Sequence, residues 1–170
     1  GIAAYKACTL CRLLVKLGAS VHVIMTPAAT KLVGKATFEA LSGNPVGVDI
    51  FSEANRISHV NLARDADLMV IAPATANTIA KITAGMADNL LTATFLATTS
   101  PVLVAPAMNV NMYRNQATQA NLKTLKERGI YVIKPGVGDL ACGVSAEGRL
   151  PEPEEICDII CTILSDRIAF

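Results

Sequence analysis

The stretch LMVIAPATANTIAKITAG, residues 68–85, contains a whole structural unit. Leu68–Ala72 is an unbroken apolar run of strand length, stopped by Pro73. Thr75–Ala84 then has helical spacing and ends at Gly85, a residue suited to the left-handed turn that closes many helices. A strand apolar on both faces, passing through a short polar turn into a helix, is the repeating unit of a parallel sheet covered on both sides.

The same unit recurs outward from this stretch. SVHVIMT (20–26), VLVA (102–105) and IYVI (130–133) read as further buried strands. Ala3–Leu17, with Leu10, Leu13, Leu14 and Leu17, reads as a helix ending at Gly18, and Asn115–Arg128 as one ending at Gly129. Pro153–Phe170 reads as a closing helix, with Ile156, Ile159, Ile160, Ile163 and Leu164 on one broad apolar face. The alternation predicts a doubly wound parallel sheet, a Rossmann-like three-layer α/β/α fold, with residues 1–170 forming one domain. Aromatic residues make up 4% of the chain and Trp is absent, so Ala, Val, Ile and Leu must build the core. GIAAYK (1–6) reads as a small-residue turn entering a helix, and a first strand is expected upstream of Gly1. Lys134–Pro153, dense in Gly and Pro, reads as a long irregular loop of the kind that is usually functional or disordered.

Fifteen basic and fourteen acidic residues leave a net charge of +1 without a basic stripe, which points to neither nucleic acid nor an acidic membrane surface. No apolar run reaches the ~20 residues of a membrane span and no leader pattern is seen, so a soluble cytoplasmic protein is expected. Five cysteines, at 8, 11, 142, 157 and 161, argue against a disulfide framework. Cys8 and Cys11 have CxxC spacing, but no second CxxC or His pair accompanies them; they read as helix-face packing, and no metal is expected. His22, inside an apolar run, reads as structural.

In open α/β sheets ligands bind beyond the carboxyl ends of the strands. Those ends carry Thr26-Pro27, Pro73-Ala74-Thr75-Ala76-Asn77, Pro106-Ala107-Met108-Asn109 and the Gly-rich loop. Small residues let a flat ligand lie against backbone, and the helix amino ends that follow offer N–H groups to a phosphate. Neither GxGxxG nor GxxxxGK[ST] occurs, which disfavours dinucleotide and P-loop binding and leaves a mononucleotide such as FMN.

Five strings follow one another over nearly the whole chain: GIAAYK (1–6), SHVNLA (58–63), APATANTIAKITAGMADNLLT (72–92), APAMNVNM (105–112) and ACGVSAEGRLPEP (141–153). In that order they resemble the flavin-dependent cysteine decarboxylases, most closely the phosphopantothenoylcysteine decarboxylases of coenzyme A biosynthesis. The resemblance implies a flavodoxin-like fold, bound FMN, and a homotrimer or a dodecamer built from trimers, with the flavin at a subunit interface. It implies 4′-phosphopantothenoylcysteine as substrate, and a phosphopantothenate–cysteine ligase fused to the chain or made separately. Tyr113 departs from the Trp usual in bacterial relatives, which bears on the shape of the pocket.

The resemblance also implies roles. The residue matching Asn109 holds the carboxylate that will leave, with Met112 beside it; an amide N–H₂ can do this without the strong charge pairing that would oppose CO₂ loss. The alternative for Asn109 is a helix cap. The residue matching His59 is the proton acceptor during oxidation of the substrate cysteine, and an imidazole, ordinarily titrating near ~6.5, suits that task; the alternative is a semi-buried structural His. The residue matching Cys142 donates a proton in the final reduction from a loop that folds over the substrate, flanked by Ala141 and Gly143; the alternative is an incidental loop thiol. For FMN, the expected contacts are Gly1, Ile2, Ala3 and Thr26 at the phosphate, and Thr75, Ala76, Asn77 and Met108 near the ring or the subunit boundary, against plain turn and cap chemistry. Lys134 and Arg149 are nearby cations that could meet a substrate phosphate, and Met86, Asp88 and Asn89 fall in the interface motif.

The implied reaction is redox-neutral overall. The substrate thiol is oxidised to a thioaldehyde, CO₂ leaves as its electrons flow into the thiocarbonyl, and the resulting enethiol is reduced to 4′-phosphopantetheine. Rival readings are a peptidyl-cysteine decarboxylase that stops at the enethiol, a non-catalytic flavin-binding regulatory subunit, and an electron-transfer flavodoxin. Cys142 counts against the first, the joint presence of His59, Asn109 and Cys142 against the second, and the near-neutral charge against the third.

Overall fold

The computed structural model describes residues 1–51, 59–139 and 145–168. Three parallel strands, β1 (Met69–Ala74), β2 (Val102–Pro106) and β3 (Tyr131–Val132), lie side by side in that order. β2 is central: Met69–Ile71 pair with Val102–Val104 on one edge, and Tyr131 and Val132 pair with Leu103 and Val104 on the other. Every residue of β2 is buried, so its sequence shows no polar alternation.

Alternation instead divides β2 between two cores. Leu103 and Ala105 pack with Leu10 of α1 (Ala4–Lys16) and with Ile156, Ile160 and Ile163 of α8 (Pro153–Ile168). Val102 and Val104 pack with Ile79 and Ile82 of α4 (Ala76–Thr83) and with Leu122 and Leu125 of α7 (Gln116–Glu127). The helix–sheet–helix layering is the doubly wound α/β arrangement that the sequence predicts. α1, α4 and α7 stop at their expected glycines, Gly18, Gly85 and Gly129, with φ of +91°, +71° and +79°. Such angles cost an L side chain about 1–2 kcal/mol.

Four further helices are α2 (Lys35–Ser42), α3 (His59–Asp65), α5 (Leu90–Ala97) and α6 (Val110–Arg114), besides a single 3-10 turn at Ala29–Lys31. α5 (LLTATFLA) is apolar nearly all round and so lacks the one-sided pattern that marks a surface helix; its start is fixed by a reciprocal capping box between Asn89 and Thr92.

Two expectations are corrected. The run 20–26 does not form a strand: it makes one isolated parallel bridge, Ile24 to Gly47, through Met25 N–H to the Gly47 carbonyl (2.8 Å) and Gly47 N–H to the Val23 carbonyl (3.0 Å). A strand is defined by its ladder, and β1, the edge of the three-stranded sheet, does not pair with this run. His22 is accordingly exposed, with Nε2 3.3 Å from Ser20 Oγ. The region Lys134–Pro153 is not irregular throughout, because β4 (Gly136–Asp139) pairs antiparallel with β5 (Ser145–Arg149), Val137 opposite Glu147 and Gly138 opposite Ala146. Its glycines conceal the side-chain alternation by which a strand is usually read.

Candidate active site

The turns after β1 and β2 meet the entry to α1. Ala107 N–H donates to the Ala74 carbonyl at 3.0 Å, joining the two turns. Gly1 lies against both: a Cβ there would sit 3.6 Å from Thr75 Cγ2 and 3.9 Å from the Ala107 carbonyl oxygen. A cavity of about 1230 Å³ opens here, with Gly1, Thr26, Thr75 and Asn77 among its lining residues at the strand ends. Val23, Val70, Leu10 and Leu164 line its apolar depth between β1 and residues 21–25. The volume exceeds the roughly 300–1,000 Å³ of ordinary ligand pockets, so the polar end is the part that speaks to a ligand.

That polar end suits a flat, phosphate-bearing group. Gly1 supplies bare backbone, and no side chain caps the amino end of the thirteen-residue helix α1. Thr26 Oγ1 accepts from Ala29 N–H (3.1 Å), and Thr75 Oγ1, the N-cap of α4, accepts from Thr78 N–H (3.3 Å). Ordinary turn and cap chemistry is thus present at both, and the Thr26 hydroxyl keeps its proton to donate. Asn77 is exposed on the first turn of α4 beside Ala76. Ile2 is 61% exposed, Ala3 precedes α1, and Met108 packs against the core beneath α4 and α7; these three and Ala76 are near the cavity without lining it.

Asn109 is the N-cap of α6, its Oδ1 accepting from Asn111 N–H at 2.9 Å. A backbone N–H can only donate, so this contact fixes the amide orientation and leaves the N–H₂ end pointing away from the cap. Met112, on α6, is 50% exposed. The preceding Met108 N–H donates to the Gly148 carbonyl of β5 at 2.9 Å, and Arg114 of α6 lies 3.6 Å from Glu147. The Met108–Asn109 turn is therefore held from the hairpin side.

His59 is the first residue of α3 and is half-buried; it does not line the cavity of its own chain. α3 is fixed through Ser100 Oγ, which donates to the Ala66 carbonyl, and Thr98 Oγ1, 3.4 Å from the Ala63 carbonyl. Ala141, Cys142 and Gly143 lie outside the described residues.

Sequence reasoning missed an ion-pair node. Lys6, 8% exposed within α1, donates to Glu152 at 2.9 Å, and Arg149 donates to the same carboxylate oxygen at 2.8 Å. The Lys6 ammonium holds the Glu152 carboxyl below its usual range, chiefly through that hydrogen bond. The available signal was a lysine among the small residues of GIAAYK, with no partner in sight until the last motif. Arg149 is thereby engaged by Glu152, while Lys134 lies in a separate cleft of about 330 Å³ along α7, with Tyr113, Lys123 and Lys126. The thiols of Cys8 and Cys11 are pushed up by burial, the reverse of a reactive pair, in keeping with packing.

Residues 1–165 match the family model described as flavoprotein. The chain belongs to the flavoprotein family. This flavoprotein is 51% identical over 164 residues to the coenzyme A biosynthesis bifunctional protein CoaBC of Mycolicibacterium smegmatis, a match covering 96% of this chain and 40% of that protein. It thus spans about two-fifths of the length of the curated relatives it matches. Among solved structures it is similar to a cysteine-to-serine mutant of PPC decarboxylase complexed with pantothenoylaminoethenethiol, with a TM-score of 0.85 and 34% identity, covering 96% of this chain and 93% of that one. A second neighbour, the FMN-dependent cysteine decarboxylase SpaF, has a TM-score of 0.83 and 31% identity, covering 98% and 91%. The flavodoxin-like fold class expected from the motifs is the one that this flavoprotein shares with its structural neighbours.

Proposed function

We propose that this flavoprotein binds FMN and decarboxylates 4′-phosphopantothenoylcysteine to 4′-phosphopantetheine, as the decarboxylase part of a coenzyme A biosynthesis protein. The observation that carries the reading is the meeting of Gly1, Thr75 and the Ala107 turn at the polar end of one cavity. The similarity to CoaBC and to PPC decarboxylase supports it.

Bound FMN would supply a two-electron oxidant for the substrate thiol and return those electrons at the end. The Gly1–Ala3 turn and the amino end of α1 would hold its phosphate, with Thr26 donating a hydroxyl and Thr75, Ala76, Asn77 and Met108 near the ring. Asn109 holds the substrate carboxylate through its N–H₂ group while its oxygen caps α6, and Met112 covers the carboxylate. Once the neighbouring carbon is a thiocarbonyl, the carboxylate leaves as CO₂ and its electron pair moves into the thiocarbonyl. An amide holds the negative charge loosely enough for that departure. His59 accepts the proton released in the first oxidation, and Cys142 donates one in the last reduction.

His59 does not line the cavity of its own chain, which its helix reaches through Asn61 and Leu62, and we place it in the site of a neighbouring subunit within a trimer or a dodecamer built from trimers. The exposed apolar side chains of Ile2, Tyr5, Met86 and Met112 are consistent with a covering partner. We place residues 1–170 as one domain, with a phosphopantothenate–cysteine ligase elsewhere in the same protein or on a separate one. Cys8, Cys11, Cys157 and Cys161 are free thiols, as in a reducing, cytoplasmic compartment, and no described helix is long and apolar enough to cross a membrane.

The test is anaerobic incubation of the FMN-loaded protein with 4′-phosphopantothenoylcysteine, followed by mass spectrometry, for wild type and Cys142→Ser. The expected products are 4′-phosphopantetheine from wild type and a species about two mass units lighter from the variant, the difference of one missing two-electron reduction. A flavin-loaded wild type that leaves this substrate intact but decarboxylates a peptide ending in cysteine would overturn the reading in favour of a peptidyl-cysteine decarboxylase.

A further inference from the structure

We infer that Gly148 is a positioning residue for the substrate carboxylate, acting through the backbone of Met108 and Asn109. The inference rests on the proposed role of Asn109. Gly148 is buried in β5 at φ +123°, where an L side chain is strained whatever the space. A Cβ there would lie 2.3 Å from the Met108 carbonyl oxygen, 3.4 Å from the Met108 carbonyl carbon and 3.7 Å from that of Asn109. All three are backbone atoms that no rotamer change can move aside. The same glycine accepts the Met108 N–H at 2.9 Å, so β5 touches the turn with both its carbonyl and its bare Cα. One residue earlier, Glu147 reaches Arg114 at 3.6 Å and ties β5 to α6, the helix that Asn109 caps.

The hairpin strand thus sets the height of the turn from which the Asn109 amide projects. Adding one methyl group at 148 must lift the Met108–Asn109 backbone or the strand. A displacement near 1 Å at a carboxylate-holding group is enough to cost binding and rate.

The experiment compares Gly148→Ala with Gly138→Ala in the FMN-loaded protein. Gly138 is on the partner strand, and its added Cβ would meet only the flexible side chain of Arg149, at 2.9 Å from the guanidinium nitrogen. Expected is a rise in KM that lowers kcat/KM by about 10–100-fold in Gly148→Ala, with FMN content per chain unchanged, and wild-type KM in Gly138→Ala. Wild-type KM in a folded Gly148→Ala, or equal losses in both variants, would overturn the inference. Should Gly148→Ala fail to fold, Glu147→Gln, which removes only the exposed pair with Arg114, carries the test: KM should rise a few-fold at unchanged FMN content, and wild-type KM would sink the idea. A wild type without turnover would instead refute the decarboxylase reading itself.

Discussion

Asn109 uses the two ends of one amide for different purposes: the oxygen closes α6, and the nitrogen is the proposed carboxylate holder. Substitution can separate them. Asn109→Asp keeps a good cap acceptor, so unfolding in urea should be unchanged to within about 0.5 kcal/mol, yet it sets a negative charge against the substrate carboxylate. Its kcat/KM should fall by at least about 100-fold, on the order of 3 kcal/mol of transition-state binding. Asn109→Ala should show the same kinetic loss and lose about 1 kcal/mol of stability as well. Wild-type turnover by Asn109→Asp would leave Asn109 as a cap alone. At this scale the sequence was informative where chemistry is local: an amide after a strand end announces itself. It was silent where chemistry depends on a distant partner, as with Lys6, whose carboxylate lies 146 positions away.

Elements were legible when their signals were internal. A strand–turn–helix unit ending in glycine carries its own start and stop, which is why α1, α4 and α7 lie within one residue of their expected ends. Residues 20–26 have strand composition but no ladder, since pairing belongs to two segments and one of them cannot encode it. The hairpin β4–β5 had the opposite fault, real pairing hidden by glycines. Its foot is fastened to α1 by Glu152, and this contact has a pH signature. The folded carboxyl titrates below its ordinary range, so the contact contributes fully above the ordinary ~4.3 of a glutamate and is lost as pH falls from there through the lower folded value. Glu152→Gln should therefore melt below wild type at pH 7, with the gap closing as pH falls below the ordinary glutamate range and the folded carboxyl takes up its proton. A gap of constant size across the whole acid titration would assign the effect to packing rather than charge.

The whole molecule depends on β2, the one strand of the three-stranded sheet with partners on both edges and cores on both faces. Leu103, 1% exposed, should cost about 3–5 kcal/mol on truncation to Ala, read as a lower urea midpoint at unchanged slope. Of the two helices in the Leu103 core, α1 comes from residues 4–16 and α8 from residues 153–168, so the layer joins one of the earliest parts of this sequence to one of the latest. At roughly 5–20 residues per second of synthesis, Leu10, Leu13 and Leu14 emerge from the ribosome about 7–30 s before the surface that covers them. The nascent α1 is thus an exposed apolar face that a chaperone would recognise until α8 has been made and packs against it.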